Sequence, residues 1–459
     1  MTSLEQPART HNKSERQPFL LMLLLIGLVR GGLYIALTPP WQAPDENGHF
    51  EHAWLIAHLG RRPAAGEVSQ AFENELMSSL YEWRYGEFIG RPLPQQMPEQ
   101  FNELRVFAVG SRSAVGRFSL AYVWAALFIW PFRHQDLLVQ LYAARLASLV
   151  LNLGIIWMIW RIFQTLLPGQ PKTAAAMTAF VVFLPQHTFI NASVSDGPLA
   201  ELCACIVLYG WSRLLLRPDH GHHVITVLVG TFLGAWAKRT TAFLIPLNIV
   251  MVVVLWGAAL FHRQRKQYLY IGIAALAVLG LLGGIWSTPA GRFVRIGVEQ
   301  WWSTQEFIWE NERVSLDQAV RYTFESFWAQ FGWMSVRAGY GWYIIIYILM
   351  AFAIEGWVWP RSRPWSVQRR VLWLMGTALM LAWGGWLVFT VTTPTGLAYY
   401  QGRYLFTATV PMAFFVVGGW ARGMPPSWQR YFSPLVLTLL AILDAAALCL
   451  SFLPYFYGR

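Results

Sequence analysis

Residues 19–59 read FLLMLLLIGLVRGGLYIALT-PPWQAPDENGHFEHAWLIAHL, and the join at Thr38–Pro39 decides how the chain is built. The first part carries a single charge, Arg30, and is long enough as a helix to cross a bilayer core of about 30 Å. Pro39 and Pro40 stop that helix, because proline lacks an N–H and pushes the preceding residue out of helical geometry. Asp45 and Glu46 then follow within about 15 Å of the membrane face, at about 3.3 Å per extended residue. Pro44 presets φ and Asp45 can cap free amides, so a second helix is expected to start there. On it, Asp45, His49, His52 and Ile56 share one face. Phe50, Ala53, Trp54 and Ala57 share another, which is expected to lie on lipid headgroups.

The whole chain fits that opening. Of its 459 residues, 56% are hydrophobic and only 13% charged, and the mean hydropathy of +0.39 belongs to a polytopic membrane protein rather than a soluble domain. The net charge of +11 has no polar basic domain to carry it, which excludes nucleic acid as a partner and leaves basic loops facing anionic lipid. The 25 tryptophans suit interfacial belts against the lipid bilayer. Cys203, Cys205 and Cys449 have neither a disulfide framework nor a zinc spacing.

Apolar runs of near-span length occur at about 18–38, 137–160, 173–190, 197–216, 223–237, 242–261, 268–287, 339–359, 371–391, 404–420 and 432–453. An all-α polytopic membrane protein with about 11 transmembrane helices is therefore expected, as a single membrane domain over 1–459. Segment 115–132 is apolar too, and it is read as re-entrant or interfacial. Counting it as a span would move every basic loop from Arg161/Lys172 onward to the outer side. Two long loops then face outward. Residues 39–114 hold the acidic amphipathic stretch, and residues 288–338 are rich in Trp, Phe and Arg, with one or two surface helices expected.

A first span, an outer loop with Asp-Glu and a nearby His, and then surface helices resembles the GT-C superfamily of membrane glycosyltransferases. More narrowly, PPWQAPDENGHF (39–50), NASVSDGP (191–198), SFWAQFGW (326–333) and QGRYLF (401–406) resemble an uncharacterised bacterial family of polytopic membrane proteins placed near that superfamily. The resemblance implies a GT-C-like fold in the bacterial cytoplasmic (inner) membrane, with an active site on the extracytoplasmic side. It implies transfer of a sugar from a polyprenyl-phosphate donor to a cell-envelope glycan, lipid or protein acceptor. The GT-C role of the Asp in the Asp-Glu pair falls on Asp45 as general base, with Glu46 beside it.

Glu46 and His49 are candidate ligands for a divalent cation, Mg or Mn, or for the donor phosphate, and the resemblance implies that Asp196 assists metal or acceptor binding. Asp196 is equally suited to the turn before Gly197-Pro198. Lys238 and Arg239 (AWAKRTTAF) and Arg403 (YYQGRYLF) break the positive-inside pattern. A cation near hydrocarbon costs about 2.5–3.5 kcal/mol at a helix centre, so each needs a partner, and a donor phosphate would supply one. Snorkelling to headgroups is the plainer account. His52, Tyr400, Gln401, Trp328 and Trp333 are the candidate substrate contacts. Arg30, Arg145, Glu201, Glu355 and Asp444, also within apolar runs, are expected to pair between helices. A transporter or flippase for lipid-linked saccharides, or a glycan polymerase, remains the alternative.

Overall fold

A computed structural model describes residues 16–64, 66–90, 92–99, 118–216, 221–262, 288, 289, 291, 315–362, 364, 365, 368–392 and 400–458. The elements are almost all helical. The first half holds α1 (Arg16–Leu37), α2 (Glu46–Leu59), α3 (Gln70–Glu82), α4 (Tyr85–Phe88), α5 (Leu120–Ile129), α6 (Leu137–Leu166), α7 (Pro171–Val182), α8 (Pro185–Asn191) and α9 (Gly197–Leu216). The second half holds α10 (His223–Ala237), α11 (Leu244–His262), α12 (Leu316–Trp328), α13 (Tyr340–Val358), α14 (Arg369–Thr392), α15 (Thr409–Gly423), α16 (Phe432–Ala447) and α17 (Leu453–Tyr457).

Among the described residues, seven helices are long and apolar enough to cross a membrane, or eight if the bent pair α7–α8 is one span. The expected count of eleven is larger for identifiable reasons. The run at 223–237 forms a helix of only 15 residues, and the run at 242–261 counts as a short apolar helix over Arg239–Val254. The run at 268–287 lies outside the described residues, as do Trp301 and Trp302. The run at 173–190 is broken by 64° just before Pro185, whose missing N–H removes a helical hydrogen bond.

Small residues set the helix spacing. Gly27 and Gly31, one turn apart on α1, let Ile156 and Leu149 of α6 approach to where a Cβ would stand. At the crossing of α13 and α15, a Cβ on Gly356 would fall 1.9 Å from the Gly419 carbonyl oxygen, so backbone meets backbone. Buried charges pair between helices at Arg30 and Glu201, whereas Glu355, expected to do the same, is partly exposed and meets Arg361 just past the end of its own helix. Arg30 donates from Nε to Asp444 Oδ2 (2.7 Å) and from Nη1 to Thr188 Oγ1 (2.8 Å), joining α1, α16 and α8. Glu201 meets His187 Nε2 (2.8 Å) and accepts from Thr409 (2.6 Å).

One expectation about α2 is corrected. Phe50, Ala53 and Ala57 do not lie on headgroups; they are buried in a second apolar cluster with Trp41, Phe72, Leu76 and Tyr122, contributed by the loop after α1, α3 and α5. The Phe50 and Phe72 rings are 6.1 Å apart, and the Trp41 indole donates to Ser79 Oγ at 2.9 Å. The segment between α1 and α5 therefore has its own core, and α2 is held by protein on that face. Further along, α12 leads into a two-stranded hairpin pairing Gln330 with Arg337 and Phe331 with Val336. The Gln330 N–H donates to Gln186 Oε1 (2.8 Å), which ties this hairpin to α8.

Candidate functional site

Asp45 adopts the left-handed conformation (φ 62°), which a non-glycine residue rarely takes, and caps no amide. Its carboxylate instead meets Arg403, from which it is separated by 358 residues. Arg403 Nη1 also donates to the Pro44 carbonyl at 3.0 Å. Arg403 sits in a 3₁₀ turn over Gly402–Ala408 that leads into α15. That turn lies hard against α12: the Gly402 N–H donates to Ser326 Oγ (2.7 Å), and a Cβ on Gly402 would fall 2.2 Å from the Phe327 nitrogen.

The turn at Asp45 sends the neighbouring carboxylate elsewhere. Glu46 receives Arg145 Nε at 2.8 Å and Nη2 at 2.7 Å, with both side chains 0% exposed. The remaining Arg145 donors reach the carbonyls of Ile35 (3.2 Å), Thr38 (2.7 Å) and Pro39 (3.2 Å), which the end of α1 leaves without helical partners. Glu46 Oε1 also accepts the Val194 N–H at 3.2 Å, linking it to the segment that carries Asp196. Glu46 is thus fully engaged in bracing the loop and is unavailable to a reacting group or a metal.

Asp196 stands beside Asp45's pair and takes Lys238 Nζ at 2.6 Å. The Tyr404 ring has Lys238 Nζ 5.8 Å from its centroid and Arg403 Cζ 5.5 Å from it, so one aromatic ring serves both cations. His49, one turn into α2, shares a hydrogen bond with Tyr122 Oη through Nδ1 (2.8 Å) and feels both carboxylates and both cations. Burial alone would raise the Asp45 and Asp196 carboxyls, but Arg403 acting on the first and Lys238 on the second hold both below their usual range. For His49 burial wins over the two carboxylates, and its pKa is lowered. At neutral pH the cluster holds two carboxylates, two cations and a neutral imidazole. Asp45 keeps 31% side-chain exposure against 5% for Arg403, so the carboxylate is the group facing outward.

The other expected contacts are placed differently. His52 is buried and stacks on Tyr122 with centroids 4.5 Å apart. Arg239 lines a small recess with Phe243, Trp386, Tyr404 and Thr407. Tyr400 and Gln401 are buried just before the Arg403 turn, and the Tyr400 carbonyl accepts from Thr323 Oγ1 at 3.0 Å. Trp328 is corrected to a packing residue, edge-on to Phe180 at 5.5 Å in the main core. Trp333 donates to the Trp41 carbonyl (2.9 Å) and stands edge-on to Tyr85, joining the hairpin after α12 to the segment between α1 and α5. Among the described residues, no group of three or more His, Cys, Asp or Glu is placed to hold a metal ion. Glu46, given up to Arg145, is the ligand that the expected set lacks.

The sequence does not single out Tyr122, in the apolar segment 115–132, or Tyr404, in QGRYLF, and it marks Arg145 as a charge that needs a partner without naming Glu46. These features define a polytopic helical membrane protein with a charge-paired cluster at one end of its bundle. The family described as "Predicted membrane protein (DUF2142)" matches residues 28–413, and the chain belongs to that family. The matched stretch runs from inside α1 to inside α15 and contains every residue of the cluster. No curated protein and no solved structure matches the chain.

Proposed function

We propose that this chain is a membrane glycosyltransferase of GT-C type. It moves a sugar from a polyprenyl-phosphate donor to an extracytoplasmic glycan, lipid or protein acceptor at the bacterial inner membrane. The observation that carries this reading is the outward-facing Asp45 carboxylate, ionised and set directly against Arg403 beside the Asp196–Lys238 pair. Two cations spaced around one tyrosine ring suit a lipid phosphate, with Arg403 able to grip it bidentately and Lys238 neutralising it as a point charge.

An arriving phosphate competes with Asp45 for Arg403, and taking the guanidinium releases the carboxylate. The acceptor hydroxyl oxygen then bonds to the anomeric carbon. The bond from that carbon to the phosphate oxygen breaks with its electron pair staying on the phosphate, and the acceptor proton passes to an Asp45 Oδ atom. A base in this role typically contributes about 10²–10⁴ in rate. No step is assigned to a metal.

The test is Asp45→Asn in purified, monodisperse protein, assayed for sugar transfer from a polyprenyl-phosphate sugar and for movement of lipid-linked sugar across vesicles. Transfer lost with the protein intact supports the reading. Full transfer by the variant removes Asp45 from the mechanism. Translocation by the wild type without any transfer places the chain with the lipid-linked saccharide flippases.

A further inference from the structure

A second polar site lies at the far end of the bundle. Arg161 is sixteen residues beyond Arg145 on α6, about 24 Å along that helix, and Gln17 and Leu20 mark the opposite end of α1 from Asp45. There the helices enclose a cavity of about 970 Å³ whose lining includes Arg161, Arg213, Gln164, Trp365, Trp157 and Tyr209. None of its described lining residues is Asp or Glu.

The polar groups in it are short of partners. Arg161 donates to Tyr209 Oη at 3.3 Å and lies over the rings of Trp157 (5.6 Å) and Tyr209 (5.8 Å). Arg213 donates from Nε to the His223 ring nitrogen at 3.3 Å. Among the described residues neither guanidinium has a carboxylate within ion-pair distance, in contrast to Arg30, Arg145 and Arg403. Among the described residues, the buried Trp365 indole N–H and both buried amide atoms of Gln164 have no hydrogen-bond partner. Arg161 is exposed, but a buried donor left unmet is costly, so the Trp365 indole and the Gln164 amide point to a missing acceptor.

We infer that this cavity binds the phosphate headgroup of an anionic membrane lipid, independently of any transfer chemistry at Asp45. Two guanidiniums that have no carboxylate partner among the described residues, an indole N–H and an amide are donors for phosphate oxygens. The apolar lining from Leu20, Leu216 and Phe414 suits the start of acyl chains, and the volume far exceeds that of a phosphate ion. The tryptophans place the cavity at headgroup depth.

The experiment uses the full chain, delipidated in detergent and exposed to phosphatidylglycerol or phosphatidylcholine, with bound lipid read by native mass spectrometry. Phosphatidylglycerol should be retained about tenfold or more over phosphatidylcholine, and the preference should vanish in R161Q/R213Q. Trp365→Phe, which keeps the ring bulk, should reduce retention and guards against misfolding of the double variant. No preference in the wild type, or an unchanged preference in both variants, overturns the inference. Displacement of the lipid by millimolar inorganic phosphate overturns the lipid assignment and gives the site to a free phosphate ester.

Discussion

Asp45 and Glu46 are adjacent in sequence, yet their carboxylates serve two different arginines, Arg403 and Arg145, because Asp45 itself takes the left-handed conformation and turns the chain there. One carboxylate faces outward and the other is sealed in. The pair that reads in sequence as a single acidic motif is therefore split into a partly exposed carboxylate, to which the proposed chemistry falls, and a buried structural one.

The structural half should fail first on removal of its partner. Arg145→Ala leaves Glu46 fully buried without its arginine and removes a donor from the Ile35, Thr38 and Pro39 carbonyls, of which Pro39 keeps the Gln42 N–H. Breaking a buried pair from one side costs about 3–5 kcal/mol. The variant is expected to aggregate or to melt well below wild type in detergent, whereas Asp45→Asn should melt close to it. Size-exclusion profiles and thermal melts check both.

Gly402 is expected to matter for the same reason a hinge pin does. Its missing side chain lets the Arg403 turn press against the backbone of α12, and Gly402→Ala must push that turn away. Transfer should fall roughly tenfold or more, a loss of about 1.4 kcal/mol in transition-state binding. Gly339→Ala, where a Cβ meets nothing within 4 Å, is the matched control and should be silent.

His49 gives a pH signature. Its pKa in the folded protein lies below the ordinary 6.5, so just below that value the unfolded chain binds more protons than the native one. Stability from His49 is complete above the ordinary value and is lost as pH falls through the window beneath it. Asp45 and Asp196, also lowered, keep their contributions until pH drops below the usual carboxylate range. Melts of wild type and His49→Gln from about pH 8 to pH 5 should diverge only below about 6.5, with the variant flatter.

The membrane-embedded pair Arg30–Asp444 should show strong non-additivity. Arg30→Leu or Asp444→Leu alone leaves an unpaired charge among apolar helices, whereas the double variant leaves none. Each single change is expected to cost about 3–5 kcal/mol and the double change much less than their sum. Melts of the three variants supply the cycle.

How much of this could be read beforehand depends on what kind of fact it was. The cost of a charge in hydrocarbon announces that Arg403 and Lys238 need partners, but it does not say which carboxylates, since that depends on how α2 and α15 meet across 358 residues. Paired helices were legible for Arg30 and Asp444 for the same reason. The loss of Glu46 to Arg145 rests on a positive φ at a non-glycine residue, which no local pattern foretells. Phe50 and Ala53 followed an amphipathic spacing, and spacing cannot distinguish a lipid neighbour from α3. Trp328 and Trp333 went into packing because a large ring beside other aromatics gains more by burial than by waiting for a sugar. The span at 173–190 was visible as apolar length, while its 64° break depended on Pro185.

Between α13 and α15 no side chain separates Gly356 from Gly419, and the Arg361 and Ser362 amides latch onto the Arg422 carbonyl at the end of that contact. Two helices joined this way have no slack to slide or roll, so they travel as one rigid beam. Arg403 is mounted at the head of that beam, and any opening of the charged cluster must come from the Asp45 side.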